Sequence, residues 1–179
     1  VDTRRARFED LAPALVDPLR RFLARRTDPD TAEEVLSDTL LVCWRRVEQM
    51  PDEPLPWAYG VARNCLANAE RGARRRSRLT ARLVSVAPPQ PVPGPGEEPD
   101  DAGLVEAMAA LRPEDAELLR LWAWEQLGPA EIAVVLDTTP NAVSIRLTRA
   151  RQKLRTRLER TRKSAGPAGH EESREGRRP

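Results

Sequence analysis

The sequence predicts an all-α protein of two small helical lobes, and three observations carry that expectation. Apolar residues recur every three to four positions along most of the chain, and no alternating stretch marks a strand. Aromatic residues make up only 4% of the 179 residues, so a core must be built from Leu, Val and Ala, which suits small helical bundles. Residues 88–103 read PPQPVPGPGEEPDDAG, with six prolines, three glycines and four acids. Proline has no amide donor for a helix or a sheet ladder, so this stretch is expected to be an extended, mobile linker. The predicted division is a first lobe over residues 4–86, a linker over 87–103, a second lobe over 104–163, and a polar tail over 164–179. The tail, punctuated by Gly and Pro, is expected to be disordered.

Each helix has its own signal. Phe8, Leu11, Leu15, Leu19, Phe22 and Leu23 recur at helical spacing, but Pro13 and Pro18 leave open whether they form one helix or two pieces. Asp28-Pro29 is a start signal, with Asp as N-cap and Pro at the first helical position. Glu33 and Glu34 then favour the positive end of the helix dipole. Val35, Leu36, Thr39, Leu40, Cys43, Trp44 and Val47 make an apolar stripe that ends before Pro51. A third helix is expected from near Pro56, through Trp57, Val61, Cys65 and Leu66, into an arginine cluster. In the second lobe Leu104–Leu111 and Pro113–Glu125 read as two helices broken at Arg112-Pro113. Gly128-Pro129-Ala130-Glu131 opens a short helix with Pro first and Glu third. Thr139-Pro140 opens a last one, whose stripe is Val143, Leu147, Ala150, Leu154 and Leu158.

A net charge of +2 hides strong segregation. Residues 63–82 hold seven arginines against Glu70 alone, and residues 144–163 hold nine basic residues against Glu159 alone. Residues 27–55 carry eight acids against Arg45 and Arg46. Such runs are often only solvated helix faces. Two basic stripes, each following an apolar-periodic helix, point instead to a polyanion, and the acidic segment suggests a second, basic partner.

Other chemistries find little support. The two cysteines, Cys43 and Cys65, lie in apolar helical contexts and read as core residues. A zinc site needs about four closely spaced ligands, and the single histidine, His170, falls in the polar tail. No metal or cofactor is therefore expected. No run approaches the roughly 20 apolar residues of a membrane span, and the first residues lack a secretory apolar stretch. A cytoplasmic location is expected. Arginine outnumbers lysine 28 to 2 and Ala and Pro are abundant, a bias that suggests a GC-rich genome.

The sharpest local signal is Gly128–Arg151, GPAEIAVVLDTTPNAVSIRLTRAR. A short helix with Glu131, Ile132, Ala133 and Leu136 is followed by a turn at Asp137-Thr138 and a capped second helix. Ala133 is small where two helices cross closely, and Asp137 falls where the backbone turns left-handed, which Asp tolerates better than most residues. This pattern predicts a helix-turn-helix, whose second helix enters the major groove and presents its N-terminal residues to base edges. The expected outward residues are Asn141, Ala142, Ser144, Ile145, Arg146 and Arg149. Asn can pair with adenine and Arg with guanine, each with two hydrogen bonds, and an apolar Ile145 can meet a thymine methyl. Arg151, Lys153 and Arg155 are expected nearer phosphates.

Residues 128–155 resemble the segment of extracytoplasmic-function (ECF) sigma factors, in the sigma-70 family, that binds the promoter −35 element. The resemblance rests on Glu131-Ile132-Ala133 with Leu136, and on Ile145-Arg146-Leu147-Thr148-Arg149-Ala150-Arg151. The first lobe is similar to the family's other domain. DTAEEVLSDTLLVCWRR (Asp30–Arg46) resembles its polymerase-binding helix, and PWAYGVARN (Pro56–Asn64) resembles the helix facing the −10 element. The turn departs from the pattern, with Asp137 where Gly is usual, and so does Ser144-Ile145 ahead of Arg146.

The resemblance implies a sigma-2-like first lobe, a sigma-4-like second lobe and no catalysis. It implies that Glu33, Glu34, Asp38 and Leu41 meet the clamp helices of the largest subunit of bacterial RNA polymerase core. It implies that the loop Gln49–Leu55, before the third helix, holds a base flipped from the opened strand, with Gln49, Asp52 and Glu53 as its polar edges. That strand would follow Arg63, Asn64, Asn68, Arg71, Arg74 and Arg75. Trp57 either stacks on a base or anchors the core, and the core is the expected place. The −35 readers would be Asn141, Ala142, Ser144, Ile145, Arg146, Arg149, Arg151 and Lys153 on promoter DNA. An anti-sigma factor is a further partner implied by the family.

Two other classes stay open at this level. A stand-alone helix-turn-helix regulator would read DNA without polymerase, but such proteins usually carry a sensor domain, and no α/β pattern is present. A nucleic-acid enzyme would need a fixed carboxylate cluster. The acids at 97–101 lie in a Pro/Gly stretch that cannot hold the tight geometry catalysis needs.

Overall fold

The computed structural model describes residues 3–81 and 102–164, and every described element is helical. The helices are α1 (Thr3–Ala24), α2 (Pro29–Arg45), α3 (Pro54–Ala81), α4 (Ala102–Ala109), α5 (Pro113–Ala123), α6 (Pro129–Leu136) and α7 (Pro140–Ser164), with one 3₁₀ turn at Val47–Gln49. The helices α1, α2 and α3 pack on one another, while α4, α5 and α6 pack on α7. Most of the expected linker, and the tail with His170, lie outside the described residues, and α4 begins at Ala102, slightly earlier than the sequence suggested.

The question left open by the prolines is answered by α1, a single helix with Pro13 and Pro18 inside it. Each proline removes one ladder hydrogen bond and costs about 3 kcal/mol in a helix interior. Against that, Leu15, Leu19, Phe22 and Leu23 are completely buried, each contributing about 1.5–3 kcal/mol. The apolar face outweighs the breakers. Phe22 lies 4.9 Å from the Tyr59 ring, and Phe8 meets the edge of Trp44 at 5.4 Å.

At the start of α2 the expected cap is present: an Asp28 carboxylate oxygen accepts the Thr31 amide at 3.0 Å. That backbone hydrogen bond holds the Asp28 carboxyl below its ordinary value of 3.8. A lowered folded-state value means the stabilisation is fully present above the unfolded value and lost as pH falls through the folded one. Asp28→Ala is therefore expected to lower the thermal midpoint by a few degrees at pH 7, and Asp28→Asn, also a good cap, by less. Melts repeated near pH 2 should show the gap between wild type and Asp28→Ala closing; an undiminished gap would remove the charge from the explanation.

Val35, Leu36, Thr39, Cys43 and Val47 are buried, as the stripe predicts, and Leu40 and Trp44 are partly so. Thr39 satisfies its hydroxyl within the helix by donating to the Val35 carbonyl at 2.7 Å. Burial pushes the Cys43 thiol up to about 11 and raises Cys65 as well, so both stay protonated and unreactive at neutral pH. Trp57 is half-buried against the core.

In the second lobe the Glu131 carboxylate accepts the Gly128 amide at 2.7 Å, closing the N-terminus of α6. The Thr139 hydroxyl accepts the Ala142 amide at 3.3 Å at the start of α7. Between them Asp137 has φ 50° and ψ 57°, and the Thr138 amide returns to the Ala133 carbonyl at 2.9 Å. This is the left-handed helix terminus that glycine usually fills. A residue with a Cβ costs about 1–2 kcal/mol there, Asp and Asn less. Asp137→Gly should thus leave the urea midpoint unchanged or raise it, whereas Asp137→Val should lower stability by about 1–2 kcal/mol. Equal midpoints for the two variants would contradict this reading of the turn. A second left-handed residue, Gln126 at φ 57°, turns the chain between α5 and α6; no sequence signal announced it.

The buried cluster is continuous across both groups of helices. Helix α6 packs on α3, and at Gly60 an added Cβ would lie 3.3 Å from the Val135 carbonyl oxygen. Glycine inside a helix is less favourable than alanine by about 1 kcal/mol, so this glycine serves the crossing and not α3 itself.

Candidate nucleic-acid interface

Helices α6 and α7 form the predicted helix-turn-helix. Ile132, Ala133 and Val135 from α6 and Val143, Leu147 and Ala150 from α7 are buried at the crossing. With those positions turned inward, helical geometry sets Asn141, Ser144, Ile145, Thr148, Arg149 and Gln152 on the outward face, all of them exposed. Ile145 is 46% exposed, a branched apolar side chain among polar neighbours. Ala142 and Arg146 are half-buried at the flank of this face. Thr148 and Gln152 were missed by the sequence reading, although their spacing of three and seven from Ile145 would have found them. The hydroxyls of Ser144 and Thr148 donate to the Pro140 and Ser144 carbonyls, at 2.9 and 3.0 Å.

Two of the expected phosphate contacts already have partners. The Arg151 guanidinium lies 4.6 Å from the centre of the Trp122 ring, and the Lys153 ammonium lies 2.6 Å from an Asp115 carboxylate oxygen. Both partners belong to α5, which braces α7 from behind. Arg155 and Arg157 are exposed further along the helix.

On α3 the predicted residues divide between two faces. Asn64, Asn68, Arg71 and Arg75 recur at helical spacing and are exposed; Arg71 donates to the Asn68 side-chain oxygen at 2.5 Å. Arg63 and Arg74 lie about a quarter-turn away. Arg74 pairs with Glu70 at 3.3 Å, and Arg63 lines a cleft between α3 and α5. Gln49 and Asp52 are exposed in the segment that precedes α3. That segment is pinned by buried Met50, whose carbonyl accepts from Arg7 at 3.0 Å.

The acidic surface of α2 is also well defined. Glu34, Asp38 and Leu41 fall on one exposed strip, and Leu41 is 45% exposed. Glu33 is exposed but accepts from Arg20 of α1 at 3.2 Å. Among the described residues no group of His, Cys, Asp and Glu could hold a metal ion, and no helix is long and apolar enough to cross a membrane.

The fold and this interface define a class: a helical DNA-reading protein whose second lobe is a sigma-type helix-turn-helix. Residues 102–154 match the family model for sigma-70, region 4. The chain is 31% identical over 146 residues to the ECF RNA polymerase sigma factor SigL of Mycobacterium tuberculosis, covering 79% of this chain and 82% of that protein. A probable RNA polymerase sigma factor, RfaY of Xanthomonas campestris, is 30% identical over 144 residues; the match spans 76% of this chain but 36% of RfaY. In structure the chain is similar to the sigma factor RpoE of Bartonella quintana, solved with the anti-sigma factor NepR. The TM-score is 0.60 at 20% identity, over 84% of this chain and 95% of that one. The chain belongs to the ECF family of RNA polymerase sigma factors.

Proposed function

We propose that this chain is a promoter-specificity subunit that docks on bacterial RNA polymerase core through α2 and reads DNA with α3 and α7. The observation that carries the reading is the outward face of α7. Asn141, Ile145, Thr148, Arg149 and Gln152 form one exposed row on a helix whose opposite side is locked into α6, the arrangement that direct readout in the major groove requires. The second basic helix, α3, offers amides and guanidiniums for an opened strand, where stacking and backbone charge give affinity. The acidic strip Glu34, Asp38 and Leu41 suits the basic clamp helices of the polymerase's largest subunit.

The domain roles follow as part of the proposal. Residues 4–86 dock on polymerase and engage the −10 element, and residues 104–163 engage the −35 element. Joining two weak modules gives useful affinity through effective concentration. An anti-sigma factor would act by covering the two lobes. The chain supplies no catalytic group of its own in this reading; polymerase makes the RNA. Retention on immobilised core polymerase, in competition with a known sigma factor, tests the docking step. Stoichiometric, competable binding supports it. Failure to bind core, together with tight sequence-specific binding of duplex DNA by the chain alone, would make it a stand-alone regulator instead.

A further inference from the structure

Two cations on the flanks of α7 are engaged by the same neighbouring helix, α5, and the two contacts differ in kind. Arg151 and Lys153 are two residues apart, so they lie on nearly opposite sides of α7. On one flank the Arg151 guanidinium lies 4.6 Å from the centre of the Trp122 ring. An aromatic face orients a cation without cancelling its charge, so Arg151 keeps its attraction for a phosphate. On the other flank an Asp115 carboxylate oxygen accepts from the Lys153 ammonium at 2.6 Å. That pair carries no net charge. The Asp115 side chain is 13% exposed and that of Lys153 51% exposed, so the carboxylate is fixed against the lobe and the flexible lysine comes to it. By contrast, Arg149 and Arg155 are exposed and have no ion-pair partner among the described residues.

We propose that Asp115 sets the strength of the backbone contact between the helix-turn-helix and DNA: by neutralising Lys153 it withdraws one cation from α7 and limits binding that is independent of sequence. The inference rests on the DNA-reading role given to α7. Sequence-independent affinity for a duplex comes from neutralised phosphates and the counterions they release. A lysine that arrives with its own carboxylate brings no net charge and releases none. Asn141, Ile145 and Arg149 keep their exposure, so the side chains that meet bases stay free while part of the electrostatic attraction is withheld. Stability gives no comparable reason for the pair. An ion pair with one exposed partner contributes little to a fold, and Glu114, in the same first turn of α5, also serves the positive end of that helix. The consequence of the pair falls on the charge that α7 presents to DNA.

The test measures the full chain on a fluorescein-labelled duplex of random sequence, by anisotropy, between about 50 and 200 mM salt, where such binding changes steeply. Asp115→Asn should bind about eightfold more tightly at 0.1 M salt and steepen the slope of log affinity against log salt by about 0.9, the increment of one phosphate contact. Lys153→Ala should reverse that gain in the Asp115→Asn background and weaken the wild-type protein much less. Arg155→Ala checks the underlying reading, because an unpaired cation on α7 should lower the slope by about 0.9 when removed. No change in Arg155→Ala overturns the DNA-reading role of α7 and the proposal with it. With Arg155→Ala effective, an unchanged slope for Asp115→Asn overturns the proposal alone, because Asp115 is then only a structural partner. Weaker binding by Asp115→Asn overturns it too, since the carboxylate would then be aiming Lys153 at a phosphate. Thermal melts check the fold of each variant. Should Asp115→Asn not fold, the wild-type background still decides: Lys153→Ala must lower the slope by far less than Arg155→Ala, and equal losses contradict the proposal.

Discussion

Replacing Glu34 and Asp38 together with lysine is expected to reduce promoter-directed RNA synthesis by at least a hundredfold while leaving the fold intact. Both side chains are exposed on α2, beside exposed Leu41, and they point away from the buried stripe of Val35, Leu36, Thr39 and Cys43. Exposed substitutions of this kind change stability by only about 0.5 kcal/mol, so the thermal midpoint should hold. Binding is another matter. Close opposite charges across an interface couple by about 1.5–7 kcal/mol, and reversal replaces attraction with repulsion. Two such contacts at the low end already give about 3 kcal/mol, which is more than a hundredfold. Glu33 is a weaker choice because Arg20 already holds it. Transcription assays at protein levels below the wild-type Kd for core should show the loss, and calorimetric melts should show the retained fold. Normal transcription by the double variant would place the docking surface elsewhere.

Arg149→Ala should have the next largest effect, a loss of about 1–3 kcal/mol in discrimination at one −35 position, or roughly fivefold to 150-fold. Arg149 lies on the exposed row with Asn141, Ile145 and Thr148, whereas Arg146 is half-buried at its edge. Arg146→Ala should therefore weaken binding more evenly across sequences. Initiation from a library randomised at the −35 element distinguishes these outcomes. If Arg146→Ala relaxed one base position and Arg149→Ala did not, the geometry assigned to α7 would be reversed.

Where local chemistry decided the structure, the sequence was legible. Asp28-Pro29 capped α2, Asp137 turned the chain between α6 and α7, and the apolar stripes found the core. Each of those signals lies within a few residues of its effect. Pro13 and Pro18 were ambiguous because their local penalty had to be weighed against burial that only the tertiary structure supplies. Long-range pairings were not legible at all. Arg26 meets Glu117 and Glu125 across more than 90 residues, and Lys153 meets Asp115 across 38. Nothing in periodicity or composition specifies such partners. The one available hint was Gly60, an unfavourable residue in the middle of a good helix, whose cause lies in Val135 of another helix. The candidate site divides the same way: spacing alone locates the face of α7, but not which of its cations α5 already engages.

The most direct measurement is transcription in vitro by purified bacterial core polymerase on a library of genomic fragments, with and without this chain, reading RNA 5′ ends. A promoter-specificity subunit should produce new start sites that share −35 and −10 elements, and the Glu34→Lys/Asp38→Lys double variant should abolish them. The contradicting result is a set of starts unchanged by the protein while it still binds duplex sites without polymerase.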